Sequence, residues 1–248
     1  MLFMMTKEDL IQELIRRGYL ETPEIIDAFR VIDRADFVLE KYKNEAYENY
    51  PLPIGEGQTI SQPLTVAFML ELLGPKPGEK ILDIGAGSGW QSSLLAYIVE
   101  KPQIPNPPDG KAIEDPRQGR DKSQTNLKFQ ISNFKHGLVV AVERISGLCD
   151  FAQKNIEKYK FISNGIVKLY CGDATAKQFR EAPFDKIIAA AAASRDIPEE
   201  WKNQLKPGGK IVAPINGSIW LFDKSITGEW DEKEFPGFSF VPLVKSNQ

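Results

Sequence analysis

The first seventy-odd residues carry apolar positions at helical spacing. Thr6 and Asp9 have the spacing of a capping box, and apolar side chains then recur on one helical face as far as Leu20. Thr22-Pro23 begins a second amphipathic segment. Residues 50–62, with two Pro and two Gly and no apolar period, predict a loop that leads into a third helix over 63–73. We therefore expect residues 1–62 to form a helical lead-in followed by a loop.

From Lys80 onward, short apolar runs without polar alternation are separated by helical segments. The predicted strands are KILDI, LVVAV, IVKLY, DKIIAAA and KIVAPI. The predicted helices cover 90–99, 148–159, a short stretch near Gln178, and 198–205. This alternation predicts an α/β fold with a doubly wound, mostly parallel sheet. After Gly217 the pattern SIWLFDKSI, polar turn, FSFVPLV predicts a hairpin over 217–248 that adds antiparallel strands at one edge of the sheet.

Residues 101–136 interrupt this pattern. They hold five of the 17 prolines, and seven basic minus four acidic residues give a local charge of +3. A helix-to-strand connection usually takes about 2 to 6 residues, so we interpret this segment as a polar insertion in a single domain. It is either a solvated loop or a contact surface.

Composition excludes several kinds of site. With 31 basic and 34 acidic residues the net charge is -3, so we expect neither a nucleic-acid nor a membrane partner. His136 is the only histidine and there are two cysteines, which excludes zinc sites built from several such ligands. A Ser-His-Asp hydrolase triad could use only His136, which lies in a polar stretch, so the sequence disfavours a hydrolase. Without a secretory or membrane segment, Cys149 and Cys171 are expected to be reduced core residues of a cytoplasmic protein.

A glycine-rich turn follows the first predicted strand of the sheet. In DIGAGSG, residues Gly85, Gly87 and Gly89 would let the backbone approach a ligand and expose N–H groups at a helix N-terminus. The dinucleotide fingerprint G-x-G-x-x-G would need its third glycine at Trp90, so the spacing disfavours a nicotinamide cofactor. A glycine turn without a ligand is the alternative.

Two acids end the next two predicted strands. Glu143 lies 54 residues beyond Gly89, and subtracting the 36 residues of 101–136 leaves 18, near the roughly 20 at which an acid binds ribose hydroxyls. Asp173 closes the following strand, where its carboxylate could accept from an adenine amino group. The alternatives are a surface acid at Glu143 and, at Asp173, the N-cap of the short helix predicted near Gln178.

These motifs resemble the class I S-adenosylmethionine-dependent methyltransferases, with a Rossmann-like fold. The segments LPIGEGQTISQP, APFDKIIAAAA, LKPGGKIVAPI and FVPL are similar to protein-L-isoaspartate O-methyltransferases over most of the chain apart from 101–136. Two positions depart from that family's pattern: Leu64 stands where many members carry His, and Ser194 where Pro is usual.

The resemblance implies methyl transfer from S-adenosyl-L-methionine to isoaspartyl carboxylates, the damage products of Asn deamidation and Asp isomerisation. It implies that Asp83, Gly85, Gly87 and Gly89 hold the methionine end of the cofactor, Glu143 the ribose, and Asp173 with Ala174 the adenine. Ser61 matches the family's active-site serine, and Gln58, Thr59 and Ile60 of the same loop are assigned to the cofactor site. The implied partners are isoaspartyl-containing proteins and peptides, and we expect a monomer.

The proposed acceptor is already ionised at pH 7, so its attack on a sulfonium methyl group needs no general base, and a histidine-poor enzyme is consistent with this chemistry. Ser61 would donate a hydrogen bond that orients the acceptor carboxylate, or, alternatively, would cap the helix that starts at Pro63. Other functions remain open: methylation of a different carboxylate or of a dedicated peptide, and a binding module without catalysis.

Overall fold

A seven-stranded sheet lies at the centre of the computed structural model, which describes residues 5–100, 137–175, 177–193 and 195–243. Its strands are β3 (Lys80–Ile84), β4 (Leu138–Glu143), β5 (Val167–Cys171), β6 (Phe184–Ala189), β7 (Leu205–Ile215), β8 (Ser218–Lys224) and β9 (Trp230–Pro236). A separate hairpin consists of β1 (Leu52–Gly55) and β2 (Gln58–Ile60). The helices are α1 (Lys7–Arg16), α2 (Pro23–Val31), α3 (Pro63–Leu73), α4 (Trp90–Glu100), α5 (Ser146–Glu157) and α6 (Glu199–Asn203).

The strand order of the sheet is β5-β4-β3-β6-β7-β8-β9. Strands β3 to β7 are parallel, while β8 pairs antiparallel with β7 and β9 antiparallel with β8. This confirms the predicted doubly wound α/β fold with antiparallel edge strands. Because the chain runs outward from β3 to β5 on one side and from β6 to β7 on the other, the order reverses beside β3. Open α/β sheets bind ligands in the crevice beyond the strand ends at such a point.

The central parallel strands β3, β4 and β6 are mostly apolar because both faces of the sheet are covered there. Ile81 and Val139 belong to one core layer, whereas their chain neighbours Leu82 and Val140 belong to the opposite layer, and all four are fully buried. In the predicted N-terminal lead-in, α2 packs against α4 and α1 packs against α2, and α1 begins with the predicted capping box of Thr6 and Asp9. None of the described helices has the length and apolar character needed to cross a membrane.

Two of the predicted elements are wrong. The loop predicted over 50–62 contains the β1–β2 hairpin, whose turn places Glu56 and Gly57 at positive φ. No helix forms near Gln178 in the described residues. The side chain of Gln204 instead forms hydrogen bonds with backbone groups of this stretch. Its Oε1 accepts from Phe179 N at 2.7 Å and its Nε2 donates to Lys177 O at 3.0 Å. This stretch is thereby held in an extended connection.

The second strand of the C-terminal hairpin is also misplaced in the prediction. WDEKEFP forms β9, and its charged side chains are exposed because β9 is an edge strand covered on neither face along most of its length. FSFVPLV instead runs across the end of the sheet. There, Ala192 N donates to Val241 O at 2.8 Å and Leu243 N donates to Ala192 O at 2.7 Å. Residues 244–248 of the predicted hairpin lie outside the described part.

The two cysteines form a disulfide, so the expectation of two reduced core thiols is wrong. Cys149 lies on α5 and Cys171 at the end of β5, with their Cα atoms 5.7 Å apart. Cys149 is fully buried, whereas Cys171 is exposed. The packing of α5 against β5 brings together residues that are 22 positions apart in the chain.

Removing this disulfide should lower the stability of the fold. A Cys149→Ala/Cys171→Ala variant is expected to lose about 3 kcal/mol in free energy of unfolding, because a crosslink that closes a loop of about twenty residues restricts the unfolded chain by that much. Urea titration measures the loss. A reductant should lower the midpoint of the wild-type protein to that of the variant and leave the variant unchanged. Equal midpoints for the oxidised wild type and the variant would contradict a stabilising role.

The ends that flank residues 101–136 lie side by side, which supports the proposed insertion. A Cβ added to Gly137 would overlap the Val99 side chain and lie 2.6 Å from Val99 O. Gly78 N donates to Val99 O at 2.9 Å, and Leu138 N donates to Glu79 O at 3.0 Å. The end of α4 and the start of β4 are therefore held by the same short segment, so a short linker could join them.

We expect that replacing residues 101–136 by a short glycine-containing linker preserves folding and cofactor binding, because the connection would join ends that are already adjacent. Circular dichroism and calorimetry with S-adenosyl-L-homocysteine test this on the shortened chain and the full chain together. A shortened chain that is insoluble or has lost its cooperative transition would show that the segment is part of the core and not an insertion.

Candidate active site

A cleft of about 780 Å³ opens at the carboxyl ends of β3, β4 and β6, where the strand order reverses. Its walls include the β2 loop with the start of α3, the glycine turn after β3, the ends of β4 and β5, the residues after β6, and the C-terminal segment. Of the predicted site residues, the lining includes Gln58, Thr59, Ile60, Ser61, Gly85, Gly87, Glu143, Asp173 and Ala174. Asp83 and Gly89 are not part of it. Segments far apart in the sequence thus meet at one cavity.

The glycine turn presents its backbone to this cleft. Gly85 N and Ala86 N both donate to Val142 O, at 2.9 and 3.0 Å, which ties the turn to the neighbouring strand β4. Gly85 and Gly87 have φ values of 84° and 55°, in the region where a side chain is strained. A Cβ on Gly87 would make only an ordinary van der Waals contact, 3.5 Å from Ile54 of the β1–β2 hairpin. The positive φ, and not lack of space, is therefore what favours glycine in this turn.

Gly89 serves helix packing and does not line the cleft. A Cβ at this position would lie 2.7 Å from Ile156 Cγ1 and 3.2 Å from Ala152 O, both on α5. Glycine thus allows the start of α4 to approach α5 closely. The prediction grouped Gly89 with the ligand-facing glycines because the motif alone does not show which face of the turn each residue occupies.

The Glu143 carboxylate is fixed at the cleft wall by backbone donors. Gly87 N donates to its Oε2 at 2.9 Å and Ile145 N to its Oε1 at 2.8 Å, and the residue is 6% exposed. Each oxygen of a carboxylate can accept more than one hydrogen bond. The group is therefore oriented before any ligand arrives and can still accept from hydroxyl groups in the cleft.

Asp83 lies behind the glycine turn, fully buried. Gln91 Nε2 donates to its Oδ1 at 2.7 Å and Ser92 Oγ to its Oδ2 at 2.6 Å. Burial raises the pKa of Asp83 to about 6, against the lowering effect of these two hydrogen bonds and with a smaller contribution from the charge of Glu143. Its carboxylate orients the first turn of α4. Gln91 and Ser92 were missed from the sequence, which has no signal for side chains that bind a buried acid.

Asp173 and Ala174 form the far end of the cleft. Thr175 N donates to Asp173 Oδ1 at 2.7 Å, and Trp201 Nε1 donates to Ala174 O at 3.0 Å. The first of these bonds closes a local turn. The N-cap alternative for Asp173 is wrong, because no helix follows it before β6 in the described residues.

Ser61 lies between β2 and α3, half-buried, and lines the same cleft. It does not cap α3. Gln62 occupies the N-cap position, and Leu64 N, in the first turn of α3, donates to Asn49 Oδ1 at 3.0 Å. Within the part of the chain described, the Ser61 hydroxyl has no hydrogen bond that would explain it structurally. The capping alternative is therefore wrong.

The remaining wall combines small residues with aromatic rings. Ala190 and Ala191 line the cleft beside the C-terminal segment 236–243, to which the next residue, Ala192, is hydrogen-bonded. The aromatic rings at the wall were not predicted as site residues from the sequence; they include Tyr19, Trp90 and Phe238. Leu64 also lines the cleft. Ser194, the other position noted as a departure, lies outside the described residues.

Comparison with known proteins identifies relatives along the whole chain. A family model described as protein-L-isoaspartate(D-aspartate) O-methyltransferase matches residues 5–248. A protein-L-isoaspartate O-methyltransferase from Methanopyrus kandleri is 37% identical over 98% of this chain and 92% of its own length. One from Aeropyrum pernix is 36% identical over 95% of this chain and 78% of its own length.

A solved structure from Plasmodium falciparum has the same fold. It is described as a protein-L-isoaspartate O-methyltransferase in complex with S-adenosyl-L-homocysteine. The likeness has a TM-score of 0.73 at 23% identity and covers 98% of this chain and 100% of that one.

Proposed function

The chain belongs to the protein-L-isoaspartate(D-aspartate) O-methyltransferase family, and we propose that its cleft methylates the α-carboxylate of L-isoaspartyl residues with S-adenosyl-L-methionine. The activity and the cofactor follow from family membership. Because the chain belongs to this family, the alternatives of a nicotinamide-dependent enzyme and of a binding module without catalysis are set aside. The observation that carries the assignment of the site is that the preoriented Glu143 carboxylate and the unengaged Ser61 hydroxyl line the same cleft.

The residues around Glu143 fit S-adenosyl-L-methionine. This cofactor supplies an electrophilic methyl group on a sulfonium centre. Glu143 would hold the ribose hydroxyls, Gly85 and Gly87 the methionine end, and Asp173 with Ala174 the adenine. Both glycines have positive φ and line the cleft, which supports contact between a ligand and the backbone of this turn. Asp83 would act on this site only indirectly, through the glycine turn and α4.

The acceptor would bind at the wall formed by the β2 loop. Gln58, Thr59 and Ile60 were predicted with the cofactor residues, and their position beside Ser61 supports contact with bound groups from this side. An isoaspartyl carboxylate is ionised at pH 7, so no side chain has to remove a proton. Orientation of two bound groups can account for about 7 to 11 kcal/mol of a barrier. We assign that orientation to the Ser61 hydroxyl as hydrogen-bond donor to the carboxylate.

Recognition of the isoaspartyl linkage requires contact with main chain as well as charge. The small side chains of Ala190 and Ala191 and the adjacent backbone of the C-terminal segment 236–243 line the same cleft as Ser61. Such a wall can accept different flanking side chains, because it reads the path of the peptide and leaves space beside it. This supports a substrate range defined by linkage, and with it a role in repair of damaged proteins. The monomeric state and the cytoplasmic location stay predictions.

Ser61→Ala is expected to lower turnover with an isoaspartyl peptide by about tenfold or more, or roughly 1.4 kcal/mol, because a donor oriented toward the acceptor is lost. Affinity for S-adenosyl-L-homocysteine should change less than threefold, since the serine is assigned to the acceptor. Steady-state kinetics and calorimetry give both values.

Ser163→Ala is the matched control for this variant. It removes a serine hydroxyl from an exposed turn that precedes β5. This turn lies at the amino ends of the strands, whereas the cleft lies at their carboxyl ends. Its turnover should equal that of the wild type. Full turnover in a folded Ser61→Ala protein would remove Ser61 from the catalytic machinery.

A further inference from the structure

Arg34 is a buried cation beneath the β1–β2 hairpin that carries the acceptor loop. It is 2% exposed, among the largest fully buried side chains. Its guanidinium donates to four backbone carbonyls: Nη1 to Ala46 O at 2.7 Å and to Glu48 O at 3.4 Å, Nη2 to Tyr50 O and to Ser61 O at 3.1 Å each. The planar fork of arginine is suited to several acceptors at fixed angles.

The two acceptors of Nη2 stand at the two ends of the hairpin. Tyr50 precedes β1, Ser61 follows β2, and Leu52 pairs with Ile60 between them. One nitrogen thus joins the strands at their base, while the turn at Glu56 and Gly57 lies at the other end. The peptide carbonyl that Arg34 holds belongs to Ser61 itself, so the bond restrains the backbone that directs the Ser61 hydroxyl.

Burial of the Arg34 guanidinium without a carboxylate partner is energetically unfavourable. In the described residues no carboxylate lies within ion-pair distance of the guanidinium, and Nε has no partner. The guanidinium lies over the Trp90 ring, 5.4 Å from its centroid. Burial lowers the pKa of Arg34 to about 9, which still leaves the group charged at pH 7. A buried charge without a counter-ion costs several kcal/mol unless hydrogen bonds compensate.

The residues on either side of Arg34 are fixed by hydrogen bonds. Asp33 N donates to the Tyr159 hydroxyl at 2.8 Å, and the Tyr47 hydroxyl donates to Asp33 Oδ1 at 2.8 Å. Ala35 N donates to the same carboxylate at 3.0 Å and so fixes the turn that begins at Arg34. A rigid base allows the guanidinium to position the loop above it.

We propose that Arg34 is a positioning residue for the acceptor site, which holds the base of the hairpin and the Ser61 backbone in the geometry that methyl transfer requires. This rests on the proposed function, because the acceptor loop matters only if the isoaspartyl group binds beside Ser61. Lysine cannot replace arginine here: it keeps the charge, but a single nitrogen on a flexible chain does not span the four carbonyls.

Arg34→Lys is therefore the critical variant, with Arg34→Gln as a second and Arg30→Lys as the control. Arg30 is exposed, and among the residues that the structure describes it forms a surface ion pair with Glu8 at 3.5 Å. We expect Arg34→Lys to lower kcat/KM for an isoaspartyl hexapeptide at least tenfold, with the affinity for S-adenosyl-L-homocysteine within twofold of the wild type. Arg34→Gln should follow it, and Arg30→Lys should match the wild type.

Hydrogen exchange gives a readout that does not depend on catalysis. Amides of 50–62 should exchange at least fivefold faster in Arg34→Lys, while those of 80–90 stay unchanged. Normal kcat/KM in folded Arg34→Lys, a cofactor affinity that falls as much as kcat/KM, or unchanged exchange in 50–62 would each overturn the proposal. If the wild-type protein does not methylate isoaspartyl peptide, the proposed function fails by itself, and exchange still decides whether Arg34 restrains the loop.

Discussion

Glu143→Ala is expected to weaken binding of S-adenosyl-L-methionine by about 1.5 to 3 kcal/mol, or roughly 10- to 150-fold. The loss has two physical sources. The first is removal of a charged acceptor for the ribose hydroxyls. The second is release of Gly87 N and Ile145 N, which both donate to this carboxylate. Removing one carboxylate therefore also loosens the glycine turn that forms the methionine end of the site.

Calorimetry on three variants separates these contributions. Glu143→Gln keeps the size of the side chain but turns an amide NH₂ toward one of the two backbone donors, so it should also bind weakly. Glu232→Ala removes an exposed acid from the edge strand β9 and should bind like the wild type. Unchanged affinity in folded Glu143→Ala would exclude this residue from the cofactor site.

The sequence predicts the fold well and brings most of the proposed cofactor residues to one cleft, because local patterns suffice for both. Strands covered on both faces are mostly apolar, and this pattern is readable at β3, β4 and β6. The position of Glu143 follows from spacing once 101–136 is treated as an insertion. Parallel strands place their carboxyl ends at one edge, so motifs at three strand ends meet in space.

Other features depend on contacts that local patterns do not reveal. The disulfide requires α5 to pack on β5 in one particular register. Asp83 and Gly89 share a motif with Gly87, yet they face α4 and α5 and not the cleft. Strand β9 is as rich in charged residues as a turn, because most of this edge strand is exposed to solvent. Its sequence pattern therefore does not indicate a strand. Arg34 looks like a surface cation in the sequence, and only its four distant carbonyl acceptors show what it holds.

Selectivity for the isoaspartyl linkage should be at least about a hundredfold, the largest effect expected for this protein. The linkage adds a methylene group to the main chain and leaves the α-carboxylate on a short arm. An aspartyl peptide that follows the same wall therefore presents its carboxylate elsewhere relative to Ser61. Loss of reacting geometry alone can cost a hundredfold in rate, on the order of 3 kcal/mol.

Small side chains on the cleft wall should make this selectivity independent of sequence. Ala190 and Ala191 line the cleft with methyl groups, and the backbone of 236–243 lies beside them, joined through the bridge between Ala192 and Pro242. Isoaspartyl peptides with different flanking residues should then differ in kcat/KM far less than an isoaspartyl peptide differs from its aspartyl twin. A strong preference for one flanking sequence would favour a dedicated peptide substrate.

The most direct test is transfer of a labelled methyl group from S-adenosyl-L-methionine to two peptides that are identical except for an isoaspartyl or an aspartyl residue. We expect rapid labelling of the isoaspartyl peptide, almost none of the aspartyl peptide, and a product that loses its label in mild base, as a methyl ester does. Equal labelling of both peptides, or label that withstands base because it sits on nitrogen or carbon, would contradict the assigned function.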